Sequence, residues 1–338
     1  MKARGPFAMP ALALALSLTV PWVTAQQTPR PMLADYFTEF ASTLPSAGYA
    51  PLAINETVTE DLDGDGNQDL VVLGANYPGG TVVNVPQPGR VFLGDGNGRF
   101  AAAPTDLFPV DTLMTVHPSN VLFADFNADG RPDMFLSTNG FDTSPFPGEQ
   151  NRLYLSRAEG GWRDATENLP QLNDFTQPSA VGDISGRGIF DIFVSNGFAR
   201  LDGNPVLPYT LLNSGSGQFT LSRSNIPAGH DQLLDPLFAH NFTGATLADL
   251  NGDGLPELIV TAVITANGKN RRTTILWNRA GVFVENDTTL LPAPEIFPDN
   301  RLDARVECPD VNQDGLPDLV LVGTQRALYS GWFVQIFI

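Results

Sequence analysis

D-L-D-G-D-G-N-Q-D at residues 61–69, D-F-N-A-D-G-R-P-D at 125–133, D-L-N-G-D-G-L-P-E at 249–257 and D-V-N-Q-D-G-L-P-D at 310–318 are four renderings of one nine-residue loop. A degenerate fifth copy, D-I-S-G-R-G-I-F-D, occupies 183–191. Each full copy places side-chain oxygens at its first, third, fifth and ninth positions and offers a backbone carbonyl at its seventh. Ca2+ is a hard cation that takes six to eight oxygens, so this spacing reads as a calcium loop. The predicted ligands are Asp61, Asp63, Asp65 and Asp69 with the Asn67 carbonyl, and Asp125, Asn127, Asp129 and Asp133 with the Arg131 carbonyl. In the later repeats they are Asp249, Asn251, Asp253 and Glu257 with the Leu255 carbonyl, and Asp310, Asn312, Asp314 and Asp318 with the Leu316 carbonyl. The sixth residue is always glycine, as a tight turn around an ion demands when it forces positive φ.

Polar Asp/Asn/Gly turns also form without metal. A plain turn, however, does not require a carboxylate three places past its glycine, and four copies repeat that offset. The degenerate copy has Arg187 at the fifth position, a fixed positive charge about where the ion would sit. The expectation is four calcium ions per chain and an empty third loop.

The loops begin at residues 61, 125, 183, 249 and 310, an internal repeat of about 60 residues. A short apolar run follows each loop, at 70–73, 134–136, 192–194, 258–260 and 319–322. A later run (R-V-F-L-G, N-R-L-Y-L-S, Y-T-L-L-N, T-T-I-L-W-N) leads to a glycine turn and an aromatic: Phe100, Trp162, Phe219 or Phe283. With the run that enters the loop, each repeat holds four short strands, the content of one propeller blade. No helical periodicity is evident across 50–338. The predicted fold is all-β: a β-propeller of four-stranded antiparallel blades, with about five repeats visible.

Residues 1–25 stand apart. Lys2 and Arg4 precede an apolar stretch at 8–20, and Val23-Thr24-Ala25 has the small residues of a cleavage site, so the segment reads as a secretory signal. Residues 26–50 form an N-terminal segment and 51–338 the repeats. The mature chain is expected to be secreted or periplasmic. Its single cysteine, Cys308, allows no internal disulfide, and bound calcium is the obvious substitute stabiliser. The formal net charge is −18, and 13 of the 37 acidic residues lie in the four full loops. The negative field left after metal binding argues against nucleic acid or anionic membrane as partner.

These loops resemble the FG-GAP/VCBS repeat family, whose calcium-loop blades are shared with integrin α-subunit propellers. The stretch N-R-L-Y-L-S-R-A-E-G-G-W-R-D-A-T at 151–166 resembles its bacterial secreted branch, which includes cartilage-acidic-protein-like sequences. The resemblance covers roughly 50–338 and implies a propeller, extracellular or periplasmic placement and calcium ligation. The family includes adhesion proteins, lectins and propeller domains of polysaccharide lyases, so it does not fix the activity. Seven blades are common in it, whereas this chain has room for five. Two arrangements fit: a five-bladed ring whose last blade is completed by Y-F-T-E-F-A-S-T-L-P at 36–45, or a fragment of a larger, seven-bladed ring. The apolar W-F-V-Q-I-F-I at 332–338 would leave an unpaired edge, which favours the fragment.

Connections in a meander alternate between faces, so the calcium loops and glycine turns share one face and the longer links share the other. Function on a scaffolded fold gathers on such links. There stand His230, Asp231, Asp235 and His240, with His117 at a similar place in an earlier repeat. They are candidate ligand-binding residues; the alternative is that they only bond backbone groups, since their spacing matches no regular metal set. Lys269, Arg271 and Arg272 could meet an acidic sugar or simply face solvent. Neither a G-x-S-x-G elbow nor a paired-carboxylate site is evident. The sequence therefore reads as an exported calcium-binding propeller that binds carbohydrate or protein at the cell surface without catalysis. The alternative is a lyase-like polysaccharide-active enzyme with its site in the long links.

Overall fold

Each loop-and-strand repeat becomes one antiparallel sheet in the computed structural model, which describes residues 53–76, 83–109, 113–196, 208–226, 242–262, 273–292, 301–325 and 330–338. The chain divides into Met1–Ala41 and Ser42–Ile338, and all described residues belong to the second unit. Blade one comprises Ala53–Glu60, Asp69–Ala75, Arg90–Gly94 and Phe100–Ala102; blade two comprises Pro118–Ala124, Asp133–Thr138, Arg152–Ser156 and Trp162–Asp164. Blade three has Thr176–Gly182, Asp191–Asn196, Tyr209–Asn213 and Phe219–Ser222; blade four has Phe242–Ala248, Glu257–Ala262, Thr274–Arg279 and Val282–Leu290. In blade five, Arg301–Glu307, Leu319–Gln325 and Ser330–Phe337 form a three-stranded sheet. Strand order in every blade is chain order. No α-helix occurs among the described residues, and none there is long and apolar enough to cross a membrane.

The second strands are sandwiched between neighbouring blades. Asp133–Thr138 and Asp191–Asn196 are buried at every residue, which explains why they read as continuous apolar runs. Their side chains alternate between neighbours. Met134 and Leu136 pack with Val71, Leu73 and Phe108 against blade one, while Phe135 packs with Ile192, Val194 and Phe219 against blade three. Phe193 meets Leu258 and Leu276, and Ile259 meets Leu321 and Phe333. Each such fully buried side chain stabilises by roughly 1.5–3 kcal/mol relative to exposure, so the blade-to-blade seams carry most of the apolar stabilisation.

Every first strand carries a register shift, at Ile54/Glu56, Pro118/Asn120, Thr176/Ser179, Phe242/Gly244 and Asp303/Arg305. A β-bulge bends a strand and sharpens its twist. The five bent strands border one central cavity of about 380 Å³, and the five sheets stand in a ring about it, a five-bladed propeller arrangement. Ser330–Phe337 aligns as a third strand, as its sequence suggested, with Phe333 buried and Trp332, Val334 and Ile336 exposed. The expected closing segment at 36–45 and the signal at 1–25 lie outside the described residues.

Candidate metal centre

Each full loop is built around its first carboxylate. Asp61 Oδ1 accepts the N–H groups of Gly64 at 2.8 Å and Asp65 at 3.1 Å, and its Oδ2 accepts that of Gly66 at 2.9 Å. Asp125, Asp249 and Asp310 accept the corresponding fifth- and sixth-position N–H groups at 2.8–3.1 Å. The third-position oxygens of Asp63, Asn127, Asn251 and Asn312 accept the fifth-position N–H, and the fifth carboxylates of Asp65, Asp129, Asp253 and Asp314 accept the seventh-position N–H. These local bonds curl the chain so that its side-chain oxygens converge. Carboxylates of Asp61, Asp63 and Asp65 each place an oxygen within 4.8 Å of the others. An all-oxygen set of this kind suits calcium, and an ionised carboxylate has lone pairs for both a backbone N–H and an ion.

The sixth-position glycines are left-handed, with φ of 88°, 80°, 72°, 89° and 92° from loop one to loop five. Position four is left-handed as well, and there Ala128 and Gln313, both at φ 62°, adopt it despite their Cβ atoms. That second turn point was missed by sequence reasoning, although Gly64, Gly186 and Gly252 mark it.

The ninth residue has a second task. Asp69 Oδ2 accepts the Leu62 N–H and its Oδ1 the Gly94 N–H, both at 2.8 Å; Asp133 brackets Phe126 at 2.9 Å and Ser156 at 2.8 Å in the same way. Glu257 holds the Leu250 N–H at 2.9 Å and Asp318 the Val311 N–H at 2.7 Å. These buried acids pin loop to blade. Burial pushes the Asp133 carboxyl up to about 6 against its backbone bonds, and Asp129 adds to the rise. Burial raises Asp69 and Glu257 too, with the loop carboxylates Asp63, Asp65, Asp253 and Asp249 pushing the same way. A nearby cation would relieve that crowding.

Loop three keeps the backbone and changes the charge. Asp183 still accepts the Arg187 N–H at 2.9 Å and the Gly188 N–H at 2.5 Å. The Arg187 guanidinium turns into the loop, donating to Ser185 Oγ at 2.5 Å, Asp191 Oδ1 at 3.0 Å and the Asn213 carbonyl at 3.3 Å.

The loops are also joints between blades. Trp162 Nε1 donates to the Leu62 carbonyl, Asn213 Nδ2 to that of Phe126 and Asn278 Nδ2 to that of Ile184, each at 2.8 Å. In each pair the acceptor is the second loop residue of the preceding blade. Position seven of one loop likewise covers position four of the loop before it: a Cβ on Gly186 would lie 2.8 Å from Leu255 Cδ2, and one on Gly252 3.2 Å from Leu316 Cδ2. Arg131 reaches over loop one and, with Asp61, Asp63 and Trp162, lines a cavity of about 410 Å³.

The proposed histidine group is not assembled among the described residues. His230, Asp231, Asp235 and His240 lie outside them. His117 is buried beside Asn139, whose N–H donates to the His117 carbonyl at 2.9 Å; burial lowers its imidazole pKa, with Asp142 opposing. What gathers on that side is a set of polar bonds at the ends of blades two and three that no motif announced. Glu149 Oε2 accepts from Thr138 Oγ1 at 2.7 Å, the Val116 N–H at 3.0 Å and Thr115 Oγ1 at 3.1 Å. The Tyr209 hydroxyl donates to Asp174 at 2.8 Å.

The FG-GAP-like repeat family model matches residues 61–136 and 249–321, so the chain carries FG-GAP-like repeats, as the loops indicated. The two matches contain the four full loops and leave out 183–191. No curated protein matches the chain. Among solved structures, the V. cholerae biofilm matrix protein Bap1 is 17% identical with a TM-score of 0.37, covering 80% of this chain but only 35% of that one. A GH43_1 enzyme from Xanthomonas citri is 11% identical with a TM-score of 0.39 over 84% of this chain and 87% of its own. A GH43 β-1,3-galactosidase with galactodeoxynojirimycin is 8% identical with a TM-score of 0.41, over 80% and 87%.

Proposed function

We propose that the chain is an exported calcium-binding propeller that acts as a non-catalytic binding or adhesion module for carbohydrate or protein. The observation that carries the calcium part is the contrast between loops. Four bend side-chain oxygens inward through the same local hydrogen bonds, with oxygens of Asp61, Asp63 and Asp65 within 4.8 Å of one another, and the fifth, with the same backbone, has the Arg187 guanidinium paired to Asp191. Asp61, Asp63, Asp65, Asp69 and the Asn67 carbonyl, and their equivalents in loops two, four and five, would hold the ion. Calcium there supplies positive charge and structural cross-linking. The chain's own residues do the rest: first-position carboxylates shape the turn, ninth-position acids pin it, and Asn213, Asn278 and Trp162 join it to the next blade.

Export is supported by the signal-like residues 1–25. The binding surface is assigned to the face opposite the loops, where the longer links emerge. Calorimetric titration of residues 26–338 with calcium, followed by a glycan array in calcium and in chelator, tests the reading. About four ions per chain and calcium-dependent glycan or protein capture are expected, with affinities near those of extracellular calcium modules, about 0.1–1 mM. Turnover of an acidic polysaccharide to unsaturated products would replace the binding module with an enzyme.

A further inference from the structure

The residue after each inner-strand bulge occupies an equivalent place, and all five such residues line the central cavity: Glu56, Asn120, Ser179, Gly244 and Arg305. Between blades two and three the ring is closed by direct bonds. Asn120 Nδ2 donates to the Ser179 carbonyl at 3.0 Å, and the Ser179 N–H returns to Asn120 Oδ1 at 3.1 Å. Gly244 contributes no side chain and leaves space. On the remaining side Glu56 and Arg305 stand as opposite charges that form no ion pair with each other. Arg305 pairs through Nε with Glu307, which also lines the cavity, and its side chain is 78% exposed. Glu56 accepts no hydrogen bond there, and the nearby Ser119 Oγ is buried without a partner.

A half-buried carboxylate without donors is costly in a cavity, while the largely exposed Arg305 guanidinium keeps its terminal nitrogens open to solvent and so to a ligand. Burial pushes the Glu56 carboxyl up to about 7, while Arg305 pulls it down. Water can fill such a gap, but a molecule carrying both charges would meet both groups at once. We propose that the central channel binds a small zwitterion of the α-amino-acid class, its ammonium on Glu56 and its carboxylate on the terminal nitrogens of Arg305. The fork geometry of arginine suits a carboxylate. At about 380 Å³ the cavity lies at the small end of ligand sites, the size for one such molecule, and Val58, Val121 and Leu247 give its side chain apolar walls.

The site is independent of the calcium reading, so the test keeps calcium saturating in every arm. Saturation-transfer NMR and calorimetry on the mature chain would compare glycine and L-leucine with acetate and methylammonium, which carry one charge each. The zwitterions should bind at least about tenfold more tightly than either single-charge probe, and Glu56→Gln and Arg305→Gln should each weaken them by about tenfold or more. Arg305→Lys keeps the charge and loses the fork, so it serves where a neutral variant fails to fold; it too should weaken leucine. No saturable signal from either zwitterion at about 10 mM, acetate binding as tightly as leucine, or variants that change the melting temperature without changing affinity would each overturn the proposal.

Discussion

Arg187 and Asp191 form an ion pair of 3.0 Å inside the third loop, and the carboxylate in that pair is fully buried while the arginine side chain is 43% exposed. The loop thus carries its own cation. Arg187→Ala leaves the buried acid uncompensated, which for a fully buried pair costs several kcal/mol and for one with a solvated arginine on the order of 2 kcal/mol. The loss should appear in urea unfolding and be the same in calcium and in chelator. Arg187→Asp restores the acidic fifth position and should add one calcium to the titration; an unchanged stoichiometry would show that more than this charge keeps the loop empty.

Chelator should lower the melting temperature of the wild type sharply. Emptied loops leave three or four acids converging without a counter-ion, and each lost ion removes about 2.7 kcal/mol when calcium stands at a hundred times its Kd. Asp253→Ala should lose one ion and part of that stabilisation. A melting curve indifferent to chelator would make the loops ordinary turns.

The loop-to-blade bonds should matter on their own. Asn213 is buried, donates to the Phe126 and Phe190 carbonyls at 2.8 and 3.1 Å, and accepts the Gly215 N–H at 3.0 Å. Asn213→Ala strands those groups, at about 1–3 kcal/mol for unsatisfied buried partners. Asn278→Ala, with bonds to Ile184, Pro256 and Gly281, should cost about the same. Denaturant midpoints measured with calcium present check both, and a shift below about 0.5 kcal/mol would mean that the brackets carry no weight.

Glu56 gives the pH dependence a sign. Its carboxyl is raised from 4.5 to about 7, so between those values the folded chain keeps a proton that the unfolded chain has released. Stability from this group is therefore greatest at low pH and falls as pH rises toward about 7, then stays level. Glu56→Gln cannot ionise, so its melting temperature relative to wild type should climb across that window. Solvent access keeps the amplitude modest. A constant offset between the two proteins from pH 4.5 to 7 would contradict the burial of this acid.

Blade content, strand order, the positive-φ glycines at the sixth loop position and the placement of Arg187 within its loop were legible because each depends on residues within about ten positions of one another. Spacing and glycine position specify such geometry locally. Less was legible where one residue serves two partners. The ninth-position acids read as ion ligands, yet Asp69 and Asp133 also clamp third-strand amides at Gly94 and Ser156. Nothing in G-D-G-N-G marks Gly94 as that partner. Ala128 and Gln313 sit in left-handed turns that their residue types disfavour, because the hydrogen-bonded loop around them over-determines the backbone.

By itself, then, the sequence determined the repeat, the all-β class, the blade and the turn geometry of each loop, since these are set by local hydrogen bonding and by period-two burial. The tertiary structure alone decided what meets what between blades: Asn213 on Phe126, Asn278 on Ile184, and Glu56 and Arg305 on the lining of one channel. Those encounters depend on how five bulged inner strands bend and how far each blade turns on the last. That curvature sums small rotations over the whole ring, and no single stretch of residues encodes it.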